Sequence, residues 1–166
     1  MKATLLGFKM TADISLCGTY RYTLTRSLNS PIRWVKPCLF IMLNPSTADA
    51  TKDDPTIRRC ISFAEREGCT ELTVVNLFAL RATNPKELLR HEDPIGPLND
   101  RKIAQMIAYH SLMGIIIAAW GAHPLAKDRA KPLNCLTGKL LCLGKNKNGS
   151  PKHPLYVKKD AKLTVL

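Results

Sequence analysis

Four short apolar runs constrain this chain more than any other feature: "CLFIML" (38–43), "ELTVVNLF" (71–78), "GIIIAAW" (114–120) and "LLCLG" (140–144). Runs of this length with little polar alternation suit strands buried on both faces, the setting of a parallel sheet covered by helices. The segments between them read as helices. In "DDPTIRRCISFAEREG", Asp54 can cap, Pro55 fits the first turn and Gly68 can end the helix. Further on, Asn99 or Asp100 starts "DRKIAQMIAYHSLM", whose spacing puts Ile103, Met106, Ile107 and His110 on one side. The order β-α-β-α-β-(α)-β predicts an α/β fold of three α/β/α layers with a central, mostly parallel four-stranded sheet. Near the N-terminus, "YRYTLTR" (20–26) alternates with period two, and with "ADISLC" it reads as a β-hairpin decorating a sheet edge.

At 166 residues and 45% hydrophobic content, the chain suits one domain over 1–166 with a sizeable core, and no repeat or Gly/Ser/Pro-rich linker divides it. No apolar run approaches the roughly 20 residues of a membrane span, and the apolar part of "MKATLLGFKMTADIS" is short for a secretory signal. A cytoplasmic, monomeric protein without a membrane partner is expected. The six cysteines never form C-x-x-C, which favours free buried thiols over a metal site. Lys and Arg exceed Asp and Glu by 25 − 13 = 12, a field that attracts polyanions, with nucleic acid the leading partner.

In a parallel α/β sheet, ligands sit beyond the C-terminal strand ends. Here those ends offer Asn44, Asn76, Trp120-Gly121 and, after a loop, His153. Each alone has an ordinary structural role: a turn, a satisfied buried amide, a surface histidine in a basic loop. Together they converge on one crevice.

The motifs "MLNPSTAD", "DDPTIRRC", "VVNLFALRAT", "DPIGPLND", "AWG" and "HPLY" resemble a family of small bacterial and phage proteins classified as a domain of unknown function. More distantly, "MLNP", "VVNL", "AAWG" and "KHPLY" are similar, in order and spacing, to strand-end motifs of the uracil-DNA glycosylase superfamily. The chain departs from that pattern at Met42, where the superfamily has a glycine, and at Leu155, where it has a serine. The resemblance implies a uracil-DNA-glycosylase-like fold and hydrolysis of an N-glycosidic bond without metal or cofactor. It assigns the base-reading amide to Asn76.

Breaking that bond develops positive charge on the sugar and negative charge on the departing base, so a site needs a positioned water and a donor facing the base. The Asn44 carbonyl can orient the water, and Asp49, Asp53 or Asp54 can assist as base, Asp54 having a competing role as helix cap. His153, neutral or protonated, can hydrogen-bond the leaving base. A base must be flipped from a duplex to be reached. Phe78, Phe40 or Trp120 then offers stacking, although aromatics in apolar strands are ordinarily core. Lys145, Lys147 and Lys152 in "GKNKNGSPKHP", with Arg58, Arg59 and Arg81, offer phosphate contacts, and Leu155 and Tyr156 offer a wedge unless they tuck into the core.

Uracil enzymes of the superfamily place a bulky aromatic near the residues after Asn-Pro or Asp-Pro, which excludes bases substituted at the 5-position. Ser46, Thr47 and Ala48 are small, so these residues leave an open wall with hydroxyls able to bond a substituent, or they simply shape the turn. The expectation is a monofunctional glycosylase that leaves an abasic site after releasing a modified pyrimidine, such as a 5-substituted or glucosylated phage cytosine, in antiviral defence. The competing readings are a hydrolase of free nucleotides or nucleosides and a DNA-binding module without chemistry.

Overall fold

The computed structural model describes residues 9–32 and 34–166. Residues 1–8, which carry most of the apolar stretch weighed as a signal, lie outside the described residues, as does residue 33. Among the described residues, seven strands form one mixed sheet: β1 (Met10–Ile14), β2 (Arg21–Ser27), β3 (Pro37–Met42), β4 (Glu71–Asn76), β5 (Ile115–Ala118), β6 (Leu141–Cys142) and β7 (Thr164–Val165). Their order is β1-β2-β4-β3-β5-β6-β7. The expected four-stranded sheet is therefore too small. Strands β4, β3, β5 and β6 pair in parallel, but β1 and β2 extend the sheet on one side and β7 on the other, all three antiparallel to their neighbours.

All six residues of β3 are buried, which accounts for the unbroken apolar run. Phe40 and Met42 point to one face, where they meet Ile57, Cys60, Phe63 and Ala64 of α1 (Pro55–Arg66). Leu39 and Ile41 point to the other, towards Ile103 and Ile107 of α2 (Asn99–Met113). The period-two alternation of a strand thus feeds two cores at once. Burial of side chains such as Leu39, Phe40 and Ile41 contributes roughly 1.5–3 kcal/mol each.

Helix α1 starts and stops where the sequence predicts. The Asp54 carboxylate accepts the Ile57 N–H at 2.9 Å, Pro55 occupies the first turn, and the chain leaves through Gly68 at φ +70°. Helix α2 begins at Asn99 without a side-chain cap. Asn99 turns inward instead, fully buried, and its Nδ2 donates to the Asn76 carbonyl at 3.0 Å and the Leu77 carbonyl at 3.1 Å. The expected capping amide is thus a brace behind the end of β4. His110, expected on the apolar side, is buried there, with Nδ1 2.7 Å from the Met106 carbonyl oxygen.

The N-terminal hairpin is more than decoration. Strand β2 lies inside the sheet, pairing Leu24 with Val74 of β4, and it buries two arginines, Arg21 and Arg26. Arg26 pairs with Asp53 at 2.8 Å and donates to the Asp49 carbonyl, clamping the loop after β3. Two short helices, α3 (Ala126–Ala130) and α4 (Leu133–Leu136), lead from β5 towards β6. Four cysteines are buried, as expected, but Cys17 and Cys135 are exposed; none forms a disulfide. No helix among the described residues is long and apolar enough to cross a membrane.

Candidate functional site

Parallel strands in register finish together. Met42 sits opposite Asn76 and Ile41 opposite Ala118, so β3, β4 and β5 deliver Asn44, Asn76 and Trp120 to one end of the sheet. Backbone bonds from Leu77 to Met42 and from Phe78 to Leu43 continue the pairing past the strand ends. Beyond those ends lies a cleft of about 400 Å³, lined by Asn44, Ser46, Asp54, Asn76, Trp120 and His153 among others.

Asn44 has a fixed polarity. Its Nδ2 donates to the Ala82 carbonyl at 2.7 Å and the Pro45 carbonyl at 3.1 Å, so the two carbonyls set which end of the amide faces them. Oδ1 is the end left to act as an acceptor in the cleft. Asn76, 1% exposed, is different: its Nδ2 is buried and finds no hydrogen-bond partner among the described residues. Unpaired buried donors are uncommon in native proteins because each costs roughly 1–3 kcal/mol.

His153 is held on the opposite wall. Its Nδ1 accepts the Leu155 N–H at 3.2 Å, which leaves the proton of the neutral ring on Nε2. Partial burial pushes its pKa below the usual histidine value against the opposing pull of Asp54. Arg59 fixes this loop on α1 through bonds to the Pro154 and Val157 carbonyls. Gly121, at φ +78°, makes the turn after β5 beside it, and a Cβ there would lie 3.6 Å from that of His153. The arrangement offers a preset acceptor, an unpaired amide donor, an imidazole N–H donor and a carboxylate around one small volume.

A family model described as a protein of unknown function (DUF1643) matches residues 21–155. The chain belongs to the DUF1643 family. No curated protein and no solved structure matches it. The matched stretch runs from Arg21 to Leu155, both of which line the cleft of this DUF1643 protein.

Several residues expected at the site lie elsewhere in the DUF1643 chain. Asp49 does not line the cleft; its Oδ1 accepts from the Thr51 N–H and hydroxyl and from the Lys52 N–H, bonds that organise its own loop and lower its pKa. Asp53 is taken by Arg26. Of the three carboxylates, only Asp54 faces the cleft, even while it caps α1. Thr47 is exposed and off the wall that Ser46 lines. Phe78 is buried in the core on the α2 side, with Arg129 6.0 Å above its ring, and Phe40 lies in the core on the α1 side. Trp120 is the aromatic residue of the three that reaches the cleft.

Leu155 and Tyr156 do not tuck into the core. They are 44% and 81% exposed at the lip, above the buried Pro154. Arg58 is exposed and donates to the Asp53 carbonyl, and Arg81 donates to the Gly18 carbonyl. Lys145 and Lys147 are exposed and Lys152 is half-buried, on a turn ordered by bonds from Asn146 to Ser150 and Pro151. None of the three lysines forms an ion pair among the described residues. If they grip a backbone rather than read sequence, replacing all three by Gln weakens DNA binding for every sequence. It also flattens the logarithmic salt dependence by up to ~0.9 for each phosphate left without its lysine, measurable by fluorescence anisotropy at several salt concentrations. Unchanged affinity and slope would mark the turn as solvated surface.

Sequence reasoning missed Arg21. It is 2% exposed and lines the cleft, entering from the start of β2.

Proposed function

We propose that this protein is a DNA N-glycosylase that hydrolyses the glycosidic bond of a flipped-out, modified pyrimidine and leaves an abasic site. The observation that carries the reading is the convergence, in one cleft at the strand ends, of the Asn44 acceptor, the unpaired Asn76 amide and the Nε2–H of His153. In this reading the fold is a uracil-DNA-glycosylase-like α/β/α sandwich, with helices α1 and α2 on opposite faces of the sheet.

The chemistry assigns each group a task. Asn44 Oδ1 accepts from the attacking water and aims its oxygen at the sugar C1′; the Asp54 carboxylate takes the water's proton as the C–O bond forms. As the C–N bond breaks, its electron pair stays with the base, and the Nε2–H of His153 stabilises the resulting anion. A neutral ring suits that role because it donates without adding a second charge to be desolvated. Asn76 reads the base edge. The net charge of +12 and the lysine turn draw in DNA, and the exposed Leu155 and Tyr156 fill the gap left by the flipped base.

Ser46 supports a substituted base, since it is the small residue that lines the wall after Asn44-Pro45. A neighbouring cavity of about 500 Å³ shares Trp120, Gly121, Ala122 and His123 with the cleft and gives further room for an adduct. Such adducts occur on phage cytosines, which makes antiviral defence the biological reading.

The test is to incubate the protein with duplexes carrying cytosine, uracil, 5-hydroxymethylcytosine or its glucosylated form, then cleave abasic sites with alkali. Release of the hypermodified cytosines faster than uracil is expected, and Ser46→Tyr should slow their release preferentially. Uracil released best, with the variant treating every substrate alike, would end the open-wall idea. Release from free nucleosides or nucleotides but from no duplex would favour the alternative hydrolase, and binding without release would leave a DNA-binding module.

A further inference from the structure

Arg21 is a buried cation with unfinished bonding. Its Nη1 donates to the Ala48 carbonyl at 2.8 Å, but Nε is buried and finds no partner among the described residues. No carboxylate among the described residues lies within ion-pair distance of it, in contrast to Arg26 on the same strand, which is paired with Asp53. A guanidinium taken out of water is costly unless a negative group or strong acceptors meet it. Burial pulls its pKa down to about 10, with Asp54 acting the other way, so it remains charged at neutral pH.

Strand β2 neighbours β4, so Arg21 enters the cleft from the side of the sheet on which Asn76 lies. Both residues line the same cleft, and each carries a buried N–H donor that finds no partner among the described residues, Arg21 Nε and Asn76 Nδ2. A guanidinium and an amide on residues lining one cleft complement a ligand rich in acceptors and negative charge. A phosphate of a DNA strand is badly placed to satisfy them, because backbone phosphates stay at the surface while the flipped base goes deepest.

We propose that Arg21 makes the cleft a receptor for the anionic form of a pyrimidine, and that it is a further catalytic residue stabilising the base as it departs. The role rests on the glycosylase reading: the bonding pair of the broken C–N bond leaves with the base, and Arg21 offsets the charge this creates. A preorganised cation beside developing negative charge in a site that excludes water is worth far more than the same cation in solution.

The experiment is calorimetric titration of the protein with barbiturate, a pyrimidine that is anionic at neutral pH, and with uracil, a neutral analogue of nearly the same shape. Wild type is expected to bind barbiturate at least about tenfold more tightly. Arg21→Gln should abolish that preference while keeping uracil affinity, and Arg21→Lys should retain part of it. Equal wild-type affinities, no binding of either ligand, or a preference that survives Arg21→Gln each overturns the proposal. So does an equal loss of both ligands in Arg21→Gln, which is what a residue that only clamps the Ala48 loop would give. Should Arg21→Gln not fold, judged by its melting curve, Arg21→Lys decides: a reduced preference supports the proposal, and a preference equal to that of wild type overturns it. Failure of the glycosylase reading appears separately, as intact duplexes in the alkali assay, and does not alter the outcome of these titrations.

Discussion

Replacing Asn44 with alanine is expected to lower single-turnover base release by ~10²–10³, and His153→Ala by a similar factor, with DNA affinity retained in both. The two residues reach this result by different routes. In Asn44→Ala the water loses the Oδ1 acceptor and the Ala82 carbonyl loses the Asn44 amide, while the Pro45 carbonyl keeps the Ala82 N–H at 2.9 Å, so stability should fall by roughly 1–3 kcal/mol. Asn44→Asp separates the two effects. It keeps an acceptor but sets a carboxylate against two backbone carbonyls, so it should disturb the loop more than alanine does. His153→Ala loses the donor to the base and the bond that orders Leu155, but Arg59 still holds the Pro154 and Val157 carbonyls, so its melting should change less. Wild-type turnover in both alanine variants would sink the assignment.

The parts of this protein that could be read from the sequence are those where local rules and tertiary position agree. The run 38–43 had no polar face because each of its sides meets a core, and the Asp54-Pro55 start of α1 is local chemistry of a helix end. Parallel alignment then carries Asn44, Asn76 and Trp120 to one place without further information. Residues whose position depends on pairing between distant segments were not legible. Arg21 lies at the beginning of its strand, and only because β2 runs antiparallel to β4 does that beginning coincide with the end where the parallel strands finish. An arginine at an alternating position would ordinarily be given to solvent. Asp49 was misplaced for a local reason: an aspartate followed by Thr51 and Lys52 has backbone N–H groups of its own to satisfy. Phe78 follows Asn76 by two residues, yet the chain turns into the α2-side core there, and of Phe40, Phe78 and Trp120 it is Trp120 that lines the cleft.

The largest effect on folding is expected from Gly114→Ala. Gly114 joins α2 to β5, and its N–H donates to the His110 carbonyl at 2.9 Å. Its φ of −155° with ψ of −139° lies outside the regular helical and extended regions, and space adds a second constraint. A Cβ at this position would stand 1.8 Å from the Pro37 carbonyl oxygen and 2.8 Å from its carbon. Those are backbone atoms at the start of β3, and no rotamer change can move them aside. The next residue, Ile115, pairs with Cys38, so the only relief is to part β5 from β3 at the ends where both begin. That parting breaks the central pairing on which the alignment of Asn44 with Trp120 depends, and strand ladders buried between two cores have no water to replace the broken bonds. Gly114→Ala should therefore cost more than about 4 kcal/mol in urea denaturation or prevent soluble folding. Gly138→Ala is the matched control, since nothing lies within 4 Å of its Cβ position and its φ is not in the left-handed region; it should stay within about 0.5 kcal/mol of wild type. Equal stability of the two variants would mean that β3 and β5 are not held this closely at Gly114, and that the convergence of their far ends on one cleft needs another cause.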